Sequence, residues 1–181
     1  MKTVQPIRDA KTISQLKKLL RDKGYKYYIM FLLGLNTGLR ISDILKLTAG
    51  DIRDKSHVTI TEQKTGKIKR FLINDQLKKE LDSYIAELSD LDYLIASRKG
   101  ENQPITRIQA YRVLNDAAKD LSLDEIGTHT MRKTFGYWHY KQHKDVAILQ
   151  KIFNHSAPSI TLEYIGINQD STDSTLQDFF L

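Results

Sequence analysis

His155 and Tyr164 stand nine positions apart in NHSAPSITLEY, and Pro158 between them is suited to the first turn of a helix. Earlier, HTMR places His129 and Arg132 three residues apart, hence on one helix face, among polar residues rather than in an apolar stripe. Arg40 ends TGLR, and Lys64 lies in QKTGK. Each residue alone reads as solvated surface or an ordinary helix start. Together, two arginines, two histidines, a lysine and a tyrosine make up a set that can attack a phosphodiester without a metal. Guanidinium groups bind non-bridging oxygens bidentately and neutralise the charge that gathers on pentacoordinate phosphorus. Tyrosine, with a pKa of about 10, is a weak nucleophile until a base takes its proton or cations lower that value. A histidine can do the first and the arginines the second, and a lysine on a turn can protonate the departing 5′ oxygen. A phosphotyrosine keeps the bond energy for religation, so no ATP or other cofactor is required.

These residues need elements to position them. Thr12 to Leu20 repeats apolar residues at three- and four-residue steps and predicts a short amphipathic helix with Gly24 as its stop. Tyr25 to Asn36 predicts a buried helix ended by Gly38, and ISDILKL a short helix starting near Arg40, so Arg40 falls at a helix-to-helix corner. The period then changes. HVTIT and IKRFLI flank EQKTGK, predicting a hairpin over residues 57 to 73 with Gly66 in its turn. Asp75 reads as the N-cap of a helix over QLKKELDSYIAEL, YLIAS as a short strand or extended segment, and SRKGENQP as a loop. A helix from Thr106 to Lys119, capped by Thr106, precedes three more: His129 to His143, with Thr128 as a candidate cap, Asp145 to Phe153, and Pro158 to Ile165. The expected fold is mainly α with one small antiparallel β-sheet.

At 181 residues the chain suits one domain with a sizeable core. A net charge of +6 and a pI near 9.3 favour a polyanionic partner such as nucleic acid. With no cysteine, disulfides, thiolate catalysis and Cys-bearing zinc sites are excluded, and a reducing cytoplasm fits. The longest apolar run, YYIMFLLGL, falls short of the roughly 20 residues of a membrane span, and MKTVQPIRDA has no signal-peptide core. The expectation is a soluble cytoplasmic protein.

Arg40 in TGLRISDILKL, Lys64 in the QKTGK hairpin, His129 and Arg132 in HTMR, and His155 and Tyr164 in NHSAPSITLEY occur in an order that resembles the tyrosine recombinases, most closely phage-type integrases, from about Thr3 to Ile167. The resemblance implies a tyrosine-recombinase catalytic domain over residues 1–170 and a tail over 171–181. It also implies site-specific cleavage and rejoining of double-stranded DNA through a 3′-phosphotyrosine, during integration or excision of a mobile element, with neither metal nor cofactor. Arg40 and Arg132 would bind the scissile phosphate, Lys64 would be the general acid, His129 the base, His155 a phosphate hydrogen-bond donor and Tyr164 the nucleophile. Asp43 would support the site from behind. Lys67, Lys69, Arg70, Arg98, Lys99 and Arg107 are candidate DNA-backbone contacts. Integrases of this type usually carry an N-terminal core-binding domain, for which this chain has no counterpart, and their C-terminal segment docks on a neighbouring subunit within a tetramer. Leu176, Phe179, Phe180 and Leu181 would supply that docking element, unless they fold back on their own core.

Two positions depart from the family pattern. Asn154 replaces the glycine that usually precedes the second histidine, and asparagine tolerates the left-handed geometry of a helix C-cap. Glu163 puts a negative charge beside the nucleophile, where it either raises the phenol pKa or points to solvent. Three other readings remain: DNA relaxation of the type IB topoisomerase kind, a non-catalytic DNA-binding remnant, and a metal site at His139 and His143. That histidine pair has zinc-binding spacing but lacks the glutamate of HExxH, and its aromatic neighbours favour helix packing.

Overall fold

The computed structural model describes residues 4–61, 66, 68–124, 126–167, 177 and 180. Helix α1 (Ala10–Lys23) starts where the Asp9 carboxylate accepts the backbone N–H groups of Lys11 and Thr12, and it stops at Gly24. Helix α2 (Tyr25–Thr37) is apolar on nearly every side and is buried by its neighbours; Ile29, Met30, Phe31 and Leu33 form the centre of the main core. Leu16 and Leu20 of α1, Leu77, Leu81 and Ile85 of α4 (Asp75–Ile85), and Ala110, Leu114 and Ala117 of α5 (Arg107–Lys119) belong to the same core. Helix α2 ends at Gly38 in the left-handed region, and the chain turns through Arg40 into the single turn of α3 (Ile41–Ile44).

The sheet has two antiparallel strands, β1 (His57–Thr61) and β2 (Ile68–Leu72), paired with His57 opposite Leu72 and Val58 opposite Phe71. Val58 and Phe71 are buried, whereas Arg70, Ile68 and Leu72 face outward, as period-two alternation requires. YLIAS forms no strand. It makes single bridges, Tyr93 with Thr48 and Ala96 with Pro104, and buries Leu94 and Ile95 as a core plug. Two expected caps shift by one residue. Asn74, not Asp75, caps α4 by accepting Leu77 N–H, and α6 (Thr130–His143) begins after His129 rather than Thr128. Among the described residues no helix is long and apolar enough to cross a membrane.

The last three helices form the part of the fold that carries the nucleophile candidate. Helix α6 crosses α2 closely, and a Cβ on Gly34 would lie 2.6 Å from Met131 Cβ. Helices α7 (Val146–Phe153) and α8 (Pro158–Tyr164) bury Leu149, Phe153 and Ile165 in a small second cluster. This cluster sits directly on Gly136 of α6, where an added Cβ would fall 2.6 Å from Ile165 Cγ2 and 2.7 Å from Phe153 Cζ. Gly136→Ala should therefore push α8 away from α6 and destabilise the protein by about 1–3 kcal/mol, the usual overpacking range. For a domain of this size that is a drop of several degrees in melting temperature, while Ser83→Ala on exposed α4 surface should leave the melt unchanged. An unaltered melt for Gly136→Ala would mean that this contact does not set the spacing of α6 and α8.

Candidate active site

The packing of α2 against α6 brings the Arg40 corner to the first turn of α6. Arg40 itself is exposed in extended backbone at the start of α3. Arg132, one turn into α6, is only 4% exposed. Its Nη1 donates to the carbonyl of Gly38 and its Nη2 to the carbonyl of Phe153 at 3.1 Å, while its guanidinium lies 4.4 Å over the Phe153 ring. Gly38 and Phe153 close α2 and α7, so both carbonyls are helix-end acceptors without an intrahelical donor. Burial lowers the Arg132 pKa to about 10, which Tyr164 and Asp43 oppose and Arg40 reinforces, so the group is charged at neutral pH.

The turn between α7 and α8 is built to hold His155. Asn154 takes the left-handed conformation at φ 59° and donates its N–H to the carbonyls of Gln150 and Lys151, as a glycine would. The N–H of His155 then donates to Gln150 O, and Gln150 Nε2 donates back to His155 O. His155 Nδ1 is 3.0 Å from Thr161 Oγ1, which is fully buried one turn before Tyr164. The Tyr164 ring packs edge-on against Phe153 and His155, with centroids 5.4 and 5.1 Å away. The Lys133 ammonium stands 5.1 Å from the same ring's centroid.

The phenol oxygen lies 3.4 Å from His129 Nδ1, and the Arg132 guanidinium is near enough to favour its ionised form. Burial pushes the Tyr164 pKa up, against the lowering effect of Arg132 and Arg40. His129 keeps an accessible ring edge at the cleft, yet desolvation by the packed protein around it, and then Arg132 and Lys133, hold its pKa below the ordinary value. Desolvation, then Arg132, Arg40 and Lys69, lower His155 in the same way. The result is a protonated phenol, two histidines poised as neutral proton acceptors, and two charged arginines. Beside them opens a cleft of about 370 Å³ lined by Arg40, Ser42, Arg107, Tyr111, His129 and Arg132.

Six of the sequence candidates thus converge: Arg40, Asp43, His129, Arg132, His155 and Tyr164. Lys64 and Lys67 lie outside the described residues, as do Leu176, Phe179 and Leu181 of the tail. Lys69 points inward, its Nζ 3.5 Å from the carbonyl of Ile152, and Arg107 lines the cleft. Arg70 is on the outer face of β2, close to His57. Arg98 and Lys99 are exposed near Lys26, at the far end of α2 from Arg40, about 20 Å away at 1.5 Å per residue. Lys133 and Thr161 are additions the sequence reading missed; the spacing of Lys133, four residues after His129, was the available signal. Glu163 is exposed, and its charge acts on Lys133. The His139 and His143 rings lie 4.7 Å apart, but among the described residues no third His, Cys, Asp or Glu gathers with them.

The phage integrase family model matches residues 8–170. The chain belongs to the phage integrase family. YoeC, a probable integrase/recombinase of Bacillus subtilis (strain 168), is 47% identical over 179 residues, covering 99% of this integrase-family chain and 98% of YoeC. Tyrosine recombinase XerC of Staphylococcus saprophyticus is 29% identical over 160 residues; the match covers 85% of this chain and 52% of XerC, so the chain spans about half that relative's length. Among solved structures, XerA recombinase superposes with a TM-score of 0.77 at 18% identity, over 98% of this chain and 68% of XerA. A lambda integrase dimer bound to a COC′ core site superposes at 0.71, also at 18% identity, over 93% of this chain and 62% of that one. At such identity these two structures establish the shared fold.

The depressed histidines have a consequence for stability. His129 and His155 both titrate below the unfolded-state value of about 6.5. The folded state therefore holds fewer protons than the unfolded state in this window, and the stability they confer above about pH 6.5 is lost as the pH falls through their lowered values. Melting temperature should drop between pH 7.5 and 5.5, and His155→Gln should flatten part of that slope. An equal slope in the variant would show that His155 is not disfavoured as a cation.

Proposed function

We propose that this chain cleaves and rejoins double-stranded DNA as a site-specific recombinase, with Tyr164 as the nucleophile. The observation that supports this reading best is a half-buried phenol beside a histidine nitrogen and a buried, charged arginine at the edge of a cationic cleft. Arg40 and Arg132 hold the non-bridging oxygens of the scissile phosphate, with the guanidinium donors that Arg132 does not spend on Gly38 and Phe153. His155 donates a further hydrogen bond from its turn. The phenol oxygen forms the new P–O bond as its proton passes to His129, and the P–O bond to the 5′ oxygen breaks while Lys64 protonates that leaving group. A 3′-phosphotyrosine results. A 5′ hydroxyl then attacks the phosphorus as its proton passes to Lys64, the P–O bond to Tyr164 breaks, and His129 returns its proton to the departing phenol oxygen.

Asp43 acts from behind by favouring the charged form of Arg132. Lys67, Lys69, Arg70, Arg98, Lys99 and Arg107 contact backbone phosphates, and Lys69 and Arg107 are the two whose placement beside the site favours this directly. The reading extends to integration or excision of a mobile element by a tetramer on DNA. In that assembly the 171–181 tail docks on a neighbouring subunit; Phe180, 95% exposed, is an apolar side chain suited to such a contact.

The test is covalent trapping on a pool of nicked duplexes in EDTA. Wild type should yield a denaturant-resistant protein–DNA adduct that maps to Tyr164, and Tyr164→Phe should yield none. Arg132→Gln should slow adduct formation by about 10²–10³-fold, the loss typical of one preorganised charge-stabilising donor. An adduct that persists in Tyr164→Phe would remove Tyr164 from the role, and no adduct with wild type would overturn strand cleavage by this chain.

A further inference from the structure

Lys133 has no part in the mechanism above, yet its ammonium sits 5.1 Å from the centroid of the Tyr164 ring, within the range of a cation–π contact. It is not among the residues that line the cleft with Arg40, Arg107, His129 and Arg132. The charged and titratable groups that face the phenol are His129, Arg132 and Lys133 from α6, Arg40 from the α2–α3 corner, His155 from the α7–α8 turn with Lys69 of β2 beyond it, and Glu163 on α8 itself. At the hydroxyl, Arg132 and Arg40 are the groups that favour ionisation. Both are also the groups that meet an incoming phosphate, whose negative charge offsets theirs. A cation over the ring, away from the cleft, escapes that competition.

We infer that Lys133 is a positioning residue for Tyr164: it holds the phenol ring by its face and stabilises the phenolate through the ring's π-system. A phenolate spreads negative charge onto its ortho and para carbons, so a cation over the face attracts it more strongly than the neutral phenol. This differential acts when the oxygen attacks phosphorus and again when it departs, and it raises the rate of both steps. The half-buried lysine is itself discouraged from carrying charge by desolvation, and the Glu163 carboxylate opposes that loss. The departure at Glu163 thus supports the cation over the ring, and the Lys133–Glu163 pair works as a unit. The catalytic consequence rests on Tyr164 being the nucleophile; the effect on the phenol does not.

The experiment separates the two. Tyrosine labelled with ¹³C at Cζ is incorporated into the full chain, the Tyr164 resonance is assigned by its loss in Tyr164→Phe, and its titration is followed in wild type, Lys133→Met, Lys133→Gln and Lys133→Arg. Far-UV circular dichroism checks each fold, and Lys133→Gln serves if the Met variant is unstable, because position 133 is partly solvated. Removing the charge should raise the Tyr164 midpoint by about one pH unit, a tenfold loss of phenolate at neutral pH. Lys133→Arg should restore the wild-type titration. The alkaline limb of the pH profile of adduct formation should move with it, with about tenfold slower adduct at pH 7 in the Met and Gln variants. A midpoint that stays in place when the charge is removed, or an arginine variant as perturbed as the methionine one, overturns the inference. A midpoint that moves in a protein that forms no adduct upholds it and rejects Tyr164 as nucleophile.

Discussion

The buried guanidinium of Arg132 is the interaction on which the geometry of the site depends. A charge this deeply buried is costly unless its hydrogen bonds are met. Here the partners are the carbonyls of Gly38 and Phe153, which lie at the negative ends of α2 and α7, where a cation is favoured. Two orphan acceptors and one desolvated donor satisfy each other. In doing so they tie the corner that carries Arg40 to the turn that carries His155, with Tyr164 between them. The same side chain covers the Phe153 ring, which in turn packs on Tyr164 and His155. Structural and chemical duties therefore fall on one residue. Any loss at Arg132 would displace the neighbouring groups and, under the proposed function, also remove a phosphate ligand, so a conservative change there is unlike a conservative change at the exposed Arg40.

Around this tie, the fold supplies rigidity unevenly. Helix α2 is locked within the main core, and Gly34 lets α6 lie against it closely enough to hold His129 and Arg132 near the α2–α3 corner. The α7–α8 pair has a much smaller cluster of its own, Leu149, Phe153 and Ile165, seated on Gly136. Phe135 and Tyr140 of α6 pack against that cluster, and polar anchors add to it: Arg132 to Phe153 O, Lys69 to Ile152 O, and Arg8 Nη2 to Gly166 O at 3.2 Å. Arg8 belongs to the segment before α1, which is itself pinned to α6 by Ile7 N–H donating to Thr134 Oγ1 and by Trp138 Nε1–H donating to Ile7 O. The nucleophile candidate is thus carried on a piece with a small core of its own, held to α6 by several contacts and to β2 and the segment before α1 by a hydrogen bond each, from Lys69 and from Arg8.

Much of this was legible before the structure. The apolar periodicity of α1, α2, α4 and α5 and the change to period two in the hairpin are local signals, because burial of one face is written into spacing. The Arg40 corner followed from Gly38, and the left-handed cap at Asn154 from the tolerance of asparagine for that conformation. Two kinds of fact were not legible. YLIAS reads as either a short strand or an extended segment, and only tertiary placement decides between them, because a strand needs a partner and its neighbours in space are loops. The spacing of Lys133 from His129 puts the two on one face of α6, but its contact with the Tyr164 ring depends on how α8 folds back over α6, and that of Thr161 on where His155 points within its turn. Arg98 and Lys99 show the same limit: their charge is written in the sequence, whereas their distance from the Arg40 corner is set by the axis of α2.

Under the proposed function, the directions of the pKa shifts at Tyr164, His129 and His155 suit a site that becomes reactive when a phosphate enters it. Burial keeps Tyr164 a phenol, and desolvation together with the surrounding cations keeps His129 and His155 neutral. Under the proposed function, a phosphate entering between Arg40 and Arg132 offsets the charges that depress the histidines. Their proton affinity then rises toward the ordinary value, so His129 becomes a stronger base when there is something to attack. The same phosphate weakens the help that the arginines give to the phenol. If Tyr164 is the nucleophile, the Lys133 ammonium over its ring is the cation placed to compensate, and the face of the ring then matters to the chemistry as well as its hydroxyl.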